Sequence, residues 1–203
     1  HPRFRLHIVT SRGRHLLGRE HRLRTPLGYL GAFLANAVHR KAMGIWLERV
    51  VFSSSPGRGP GALCAELPFA VQDYPTRQIP LDAHNFFQAL QASCSIPFVL
   101  QAVHDIPGAP RGAYWDGGIT DYHLHLNYAA ALSAAGPEAP GLVLYPHFQS
   151  SVVPGWLDKR LHWRHHATPF VDNVVVLAPN PDWVATLPGG KLPDRTDFTR
   201  YGH

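Results

Sequence analysis

The chain has 203 residues, 45% of them apolar, and a formal net charge of +5. That is enough for one substantial hydrophobic core, or a large piece of a bigger one; no run approaches the roughly 20 unbroken apolar residues of a membrane-crossing helix, and the first residues lack the apolar core of a secretory signal. The two cysteines, Cys64 and Cys94, stand in no metal-ligand or disulfide spacing, which fits a reducing, cytoplasmic compartment.

In chain order, Arg3-Phe4-Arg5-Leu6-His7-Ile8-Val9-Thr10 alternates with the period of a strand, and Ser11-Arg12-Gly13 ends it. Arginines 3, 5, 12, 14, 19, 22 and 24 crowd this opening. They make a solvated basic segment or, as the second reading, a surface attracted to anionic lipid; no recognisable motif points to nucleic acid. A helix is predicted over 27–47, where Leu27, Leu30, Leu34, Val38 and Ile45 follow helical spacing and Gly28, Gly31 and Gly44 mark kinks or a break. A short buried strand follows over 48–52, and a loop through Ser53, Ser54 and Ser55 to Gly61.

Asp82 is the predicted N-cap of a helix over 83–92, which stops near Ser95 because the residue before Pro97 is pushed out of the helical region. A strand over 112–115 delivers Asp116, and a helix is expected over 127–135. The apolar runs 141–146 and 173–178 read as fully buried strands with helices on both faces, so the fold class is α/β. One domain is expected over 1–203, with a mostly irregular tail from Pro179 onward.

Trp115-Asp116-Gly117-Gly118 is the most informative tetrad. An acidic residue at a strand end, followed by two residues without side chains, presents a carboxylate at a sheet edge with backbone room beside it. Upstream stand Ala92-Ser93-Cys94-Ser95-Ile96-Pro97-Phe98 and a turn at Pro107-Gly108. This order resembles the second half of the patatin-like acyl hydrolase family: a helix ending in Ala-Ser, an Ile-Pro, a short hairpin, then Asp-Gly-Gly. The resemblance covers residues 3–125 well and the rest loosely.

The resemblance implies the C-terminal part of a three-layer sheet flanked by helices, and a serine acyl hydrolase of the lipase, phospholipase or esterase type acting on lipid or ester substrates. In that family a serine on a G-x-S-x-G elbow attacks the ester carbonyl and the Asp of Asp-Gly-Gly takes its proton directly. Asp116 is the expected base, Gly117 and Gly118 allow close approach, and Trp115 with Phe98 is expected to line the acyl pocket. No cofactor is implied. The sequence contains no G-x-S-x-G, so the nucleophile is expected in an N-terminal part of the same protein; His1 in place of Met points the same way. Ser93 and Ser95 are read as structural, and so are the serines at 53–55.

After the tetrad, Asp121, His123 and His125 alternate and would share one face of an extended segment. They define the alternative of a metal-dependent hydrolase, with His147, His162, His165 and His166 as further ligands. Otherwise Asp121 caps the next helix, and His123 packs beneath the site and orients Asp116 by a hydrogen bond. The remaining alternative is a noncatalytic lipid- or protein-binding module of the same fold. Tryptophans 46, 156, 163 and 183 are read as core.

Overall fold

Strand pairing around residues 7–13 organises the chain. The computed structural model describes residues 4–55, 64–135 and 141–201; Arg3 and most of the loop expected up to Gly61 lie outside them. In chain order the elements are β1 (His7–Gly13), α1 (Arg24–Val38), β2 (Leu47–Ser54), β3 (Thr76–Leu81), α2 (Phe86–Ser93), β4 (Val103–His104), β5 (Ala113–Asp116), α3 (Gly118–Asp121), α4 (Tyr128–Ala135), β6 (Val143–Pro146), β7 (Val174–Leu177), α5 (Pro181–Ala185) and α6 (Arg195–Tyr201).

Five strands form one mixed sheet in the order β3-β2-β1-β5-β4. β1 is antiparallel to β2, with Ile8 opposite Phe52, and antiparallel to β5, with Thr10 opposite Asp116; β3 lies parallel on β2. Helices cover both faces. Ile8, Val50, Phe52 and Tyr114 pack with Ala89 and Ala92 of α2, whereas Leu47 and Trp115 pack on the other face with Tyr29 and Ala32 of α1 and Ile119 of α3. Alternation along each strand assigns the faces, and burial of both makes the sheet the centre of the fold. The class is α/β, as expected.

The opening strand runs later than the alternation suggests, through Ser11, Arg12 and Gly13. A central strand pairs on both edges, and its polar side chains find partners: Ser11 Oγ lies 3.0 Å from Thr120 Oγ1, and Arg12 Nε donates to Glu48 at 2.8 Å. β2 likewise extends through Ser53 and Ser54, so these two serines are strand residues and not loop. Ser53 Oγ is buried between His7 Nδ1 and Gln78 Nε2, each at 2.9 Å.

α1 ends at Val38, and a 3-10 segment, Arg40–Ile45, replaces the rest of the expected helix. Its glycines mark close packing and not kinks: a Cβ at Gly28 would sit 2.7 Å from Leu17 and one at Gly31 2.6 Å from Trp46. The helix therefore seats its small face, Thr25, Gly28, Ala32 and Asn36, together with Tyr29, on the core. The apolar series from Leu27 to Ile45, which periodicity alone would place inward, is exposed.

α2 begins at Phe86, later than expected. Asp82 caps the preceding turn, accepting from the His84 N–H at 2.8 Å and the Asn85 N–H at 3.2 Å. α4 is preceded by Asn127, whose side chain accepts from Ala130 N–H at 3.1 Å; Asp121 does not cap it. β6 and β7 pair parallel with each other as a separate two-stranded sheet, and Leu144, Val175 and Leu177 leave one face exposed. These strands are thus half-buried where continuous apolar runs suggested full burial. The segment after Pro179 is more regular than expected, forming α5 and α6. Trp163 and Trp183 are exposed and do not belong to the core.

Candidate active site

Asp116 ends β5 on the sheet face that packs on α2, because it lies opposite Thr10 in the ladder and two residues from Tyr114. Its main-chain N–H donates to the Ser95 carbonyl at 2.9 Å, tying the strand end to the turn after α2. Its carboxylate Oδ1 accepts from the Gly118 N–H at 2.7 Å. Chain turn and side chain are thus fixed by one bond.

The two glycines act through space, since neither lies at positive φ. A Cβ on Gly117 would stand 2.3 Å from the Val9 carbonyl oxygen, so only glycine lets the turn lie against β1; a Cβ on Gly118 would press on Asp116 Oδ1 at 3.0 Å and Tyr122 at 3.3 Å.

Half-buried Asp116 stands on the shared wall of two cavities. One, of about 610 Å³, is apolar along Ile96, Pro97, Phe98, Val99 and Trp156, with Lys159 at its rim. The other, of about 520 Å³, opens past His7, Leu90 and Ser93. Asp116, Gly118 and Tyr122 line both. Ser93 and Ser95 are occupied with helix ends: Ser93 Oγ donates to Leu90 O at 3.0 Å and Ser95 Oγ to Gln91 O at 2.9 Å.

Trp115 does not line the larger cavity. Alternation turns it to the opposite face of β5, fully buried in the core. Its ring packs with Tyr29, whose own ring lies edge-on to Trp115 at 5.7 Å and to Phe98 at 5.3 Å. Phe98 does line the cavity, held there by a left-handed backbone at φ 66°. Burial, then the negative charges of Glu20 and Asp116, pushes the Tyr29 hydroxyl well above its ordinary pKa. That hydroxyl has no hydrogen-bond partner among the described residues.

His123 does not orient Asp116. Its Nδ1 accepts from the Val153 N–H at 2.9 Å, and its ring stacks on Tyr122 at 4.2 Å and meets His147 edge-on at 4.2 Å. Tyr122 stands in the cavities and His123 lies behind it. Burial, then His147 and Lys159, lowers its pKa to about 4, so the ring is neutral at physiological pH.

Asp121, His123 and His125 do not converge, because the backbone from Gly118 is helical and not extended. Asp121 turns inward to a buried ion pair with Arg49, 2.7 Å to Nε and 2.6 Å to Nη2, and meets Arg40 at 3.3 Å. Burial alone would raise its carboxyl pKa; Arg49 and Arg40 outweigh that and hold it below the ordinary range. His125 Nε2 pairs with Thr168 Oγ1 at 3.0 Å. Among the described residues no group of three or more His, Cys, Asp or Glu side chains could hold a metal ion, including His147, His162, His165 and His166. This overturns the ligand set expected for a metal-dependent hydrolase.

A cavity of similar size, about 620 Å³, lies beyond the end of α1 at His39, Lys41, His125 and Phe170. Its carboxylates are committed: Asp158 to Arg164 at 3.0 Å and Arg40 at 3.3 Å, Asp73 to Arg49 at 3.1 Å. Three imidazoles, His39, His125 and His166, also line it, whereas the Asp116 cavities set a carboxylate beside an apolar wall.

The motif reading missed Tyr122, Trp156, Lys159, Asp194 and Thr196, which line the larger Asp116 cavity. Tyr122 had a signal, one helical turn after Gly118. Lys159, 4.0 Å over the Tyr122 ring, and Thr196 had none, since folding alone brings them there. No protein-family model, curated protein or solved structure matches the chain.

Proposed function

We propose that this chain supplies the carboxylate half of a Ser-Asp acyl hydrolase acting on lipid or other long-chain esters, in the manner of the patatin-like fold it resembles. The observation that carries the proposal is the placement of Asp116: a carboxylate fixed by the Gly118 N–H at a strand end, on the wall common to two cavities, one of them lined by apolar side chains. A hydrolase needs such a base beside a pocket that takes the acyl chain and excludes water.

On this reading the nucleophilic serine is supplied by a part of the protein outside these 203 residues. Asp116 accepts the serine proton as Oγ attacks the ester carbonyl, then returns it to the departing alcohol. Water repeats the cycle on the acyl-enzyme, with Asp116 again the base. Ile96, Phe98, Val99 and Trp156 receive the acyl chain. The protein works in the cytoplasm on this view.

The test is fluorophosphonate labelling of the full protein, which reports an activated serine. Rapid stoichiometric labelling of the wild type, and much slower labelling of Asp116→Asn, is expected. Ester hydrolysis that resists fluorophosphonate and is abolished by a chelator would overturn the proposal, and a protein inert in both assays would be a binding module.

A further inference from the structure

The outward face of α1 is apolar along its whole length. Leu23, Leu27, Leu30, Leu34 and Val38 recur at spacings of three and four, and each is between 54% and 84% exposed. At 100° per residue these five fall within a stripe about 80° wide. No charged residue interrupts the helix after Arg24. A surface helix in water ordinarily reverses this pattern, with apolar residues inward and charge outward. Here the small inward face already satisfies the core, through Gly28 and Ala32, so the leucine stripe is surplus to folding. A contiguous exposed apolar surface of this kind marks a docking site.

Charge identifies what docks. Between residues 19 and 41 the sequence has five cations against the single anion Glu20; Arg19 is paired with Asp105 and Arg40 with Asp121 and Asp158, so Arg22, Arg24 and Lys41 supply the surface charge. Arg22 and Arg24 are exposed at one end of the stripe, His39 and Lys41 at the other. Apolar side chains between cationic ends fit the interface of an anionic bilayer, where the leucines enter the acyl boundary and the arginines meet lipid phosphates. A protein partner would have to offer a long apolar groove with acidic ends.

The stripe also leads to Asp116. Leu30 lines a cavity of about 530 Å³ with Pro26, Phe33, Phe98 and Trp156. That cavity shares Phe98, Trp156 and Lys159 with the larger Asp116 cavity. We propose that α1 is an interfacial docking helix that seats the protein on anionic lipid surfaces, with the apolar path past Phe98 and Trp156 taking an acyl chain from the bilayer to Asp116. Docking itself follows from the stripe and its charges; only the use of the path rests on the acyl-hydrolase proposal.

The test is flotation of the full protein with phosphatidylcholine vesicles, with and without phosphatidylglycerol. Binding is expected only when phosphatidylglycerol is present, and it should weaken at high salt. Leu27→Ser/Leu30→Ser/Leu34→Ser should lower binding at least about tenfold, and Arg22→Ala/Arg24→Ala about tenfold. Both variants should keep the wild-type circular dichroism and thermal midpoint, because these side chains are exposed. Asp116→Asn should float like wild type, which separates failure of docking from failure of the chemistry. Wild-type protein that does not float, or a triple variant that floats undiminished, overturns the proposal. So does a wild-type dimer that the triple substitution splits without any vesicle binding, since the stripe would then join two copies of the chain.

Discussion

The main-chain N–H of Asp116 donates to the Ser95 carbonyl at 2.9 Å. This bond joins the turn after α2 to the end of β5, and it explains why Ala-Ser, Ile-Pro and Asp-Gly-Gly belong to one structure although the sequence separates them. The Ile96-Pro97-Phe98 turn then builds the apolar wall of the cavity that Asp116 faces.

Gly117→Ala should destabilise the fold by about 1–3 kcal/mol, because the new methyl meets the Val9 carbonyl and β1 must shift. Gly118→Ala presses instead on Asp116 Oδ1 and Tyr122. It should cost little stability and slow ester hydrolysis on the order of tenfold to a hundredfold. Thermal melts beside kcat measurements separate the two.

Arg49 and Asp121 form an ion pair with neither side chain exposed. Asp121→Ala leaves the buried guanidinium with Asp73 and Thr76 alone and should cost up to about 3–5 kcal/mol, whereas Arg49→Met/Asp121→Leu should recover part of the loss. Denaturant titration of the single and double variants measures this. A single variant as stable as wild type would mean that Asp73 and Thr76 suffice for Arg49.

Acid should destabilise the protein in two windows. The His123 pKa is lowered from 6.5 to about 4 in the fold, so the unfolded chain binds the extra proton between those values. Its contribution is full above about pH 6.5 and lost as pH falls toward 4. The Asp121 pKa is lowered below 3.8, so its contribution is present above that value and lost as pH falls through the lower, folded one. His123→Gln should make the first window of a Tm-against-pH curve shallower, with His7 and His125, whose pKa values burial also lowers, supplying the rest, and leave the second.

Tyr29→Phe removes a buried hydroxyl that has no partner among the described residues. Stability should be unchanged or rise by up to about 1 kcal/mol. A loss above 1 kcal/mol, read by chemical denaturation, would show that the hydroxyl is satisfied in solution.

Local chemistry made some of this legible in the sequence and long-range packing hid the rest. Asp116, Gly117 and Gly118 stand out in the sequence because they follow the Ala92-Ser93 helix end and Ile96-Pro97; a carboxylate beside two glycines is by itself only a turn. Trp115 was misplaced because proximity in sequence is the wrong guide along a strand, where neighbours face opposite ways. The Asp121, His123 and His125 alternation would matter only if the segment were extended, and the buried Arg49, far away in sequence, decides where Asp121 points. In α1 the helical period was correct but its polarity reversed: spacing shows that Leu27, Leu30 and Leu34 share a face, and only the close approach at Gly28 and Gly31 shows that the other face is the buried one. Lys159 and Thr196 reach the site through tertiary folding alone.

The most direct measurement is the rate of ester hydrolysis by the full protein carrying Asp116→Asn, with its thermal midpoint measured alongside. Asparagine keeps the Gly118 contact and the size of the side chain but cannot take the serine proton. Hydrolysis should fall by about a thousandfold with the midpoint unchanged. A folded Asp116→Asn protein that hydrolyses esters at the wild-type rate would contradict the assignment of Asp116 as the base.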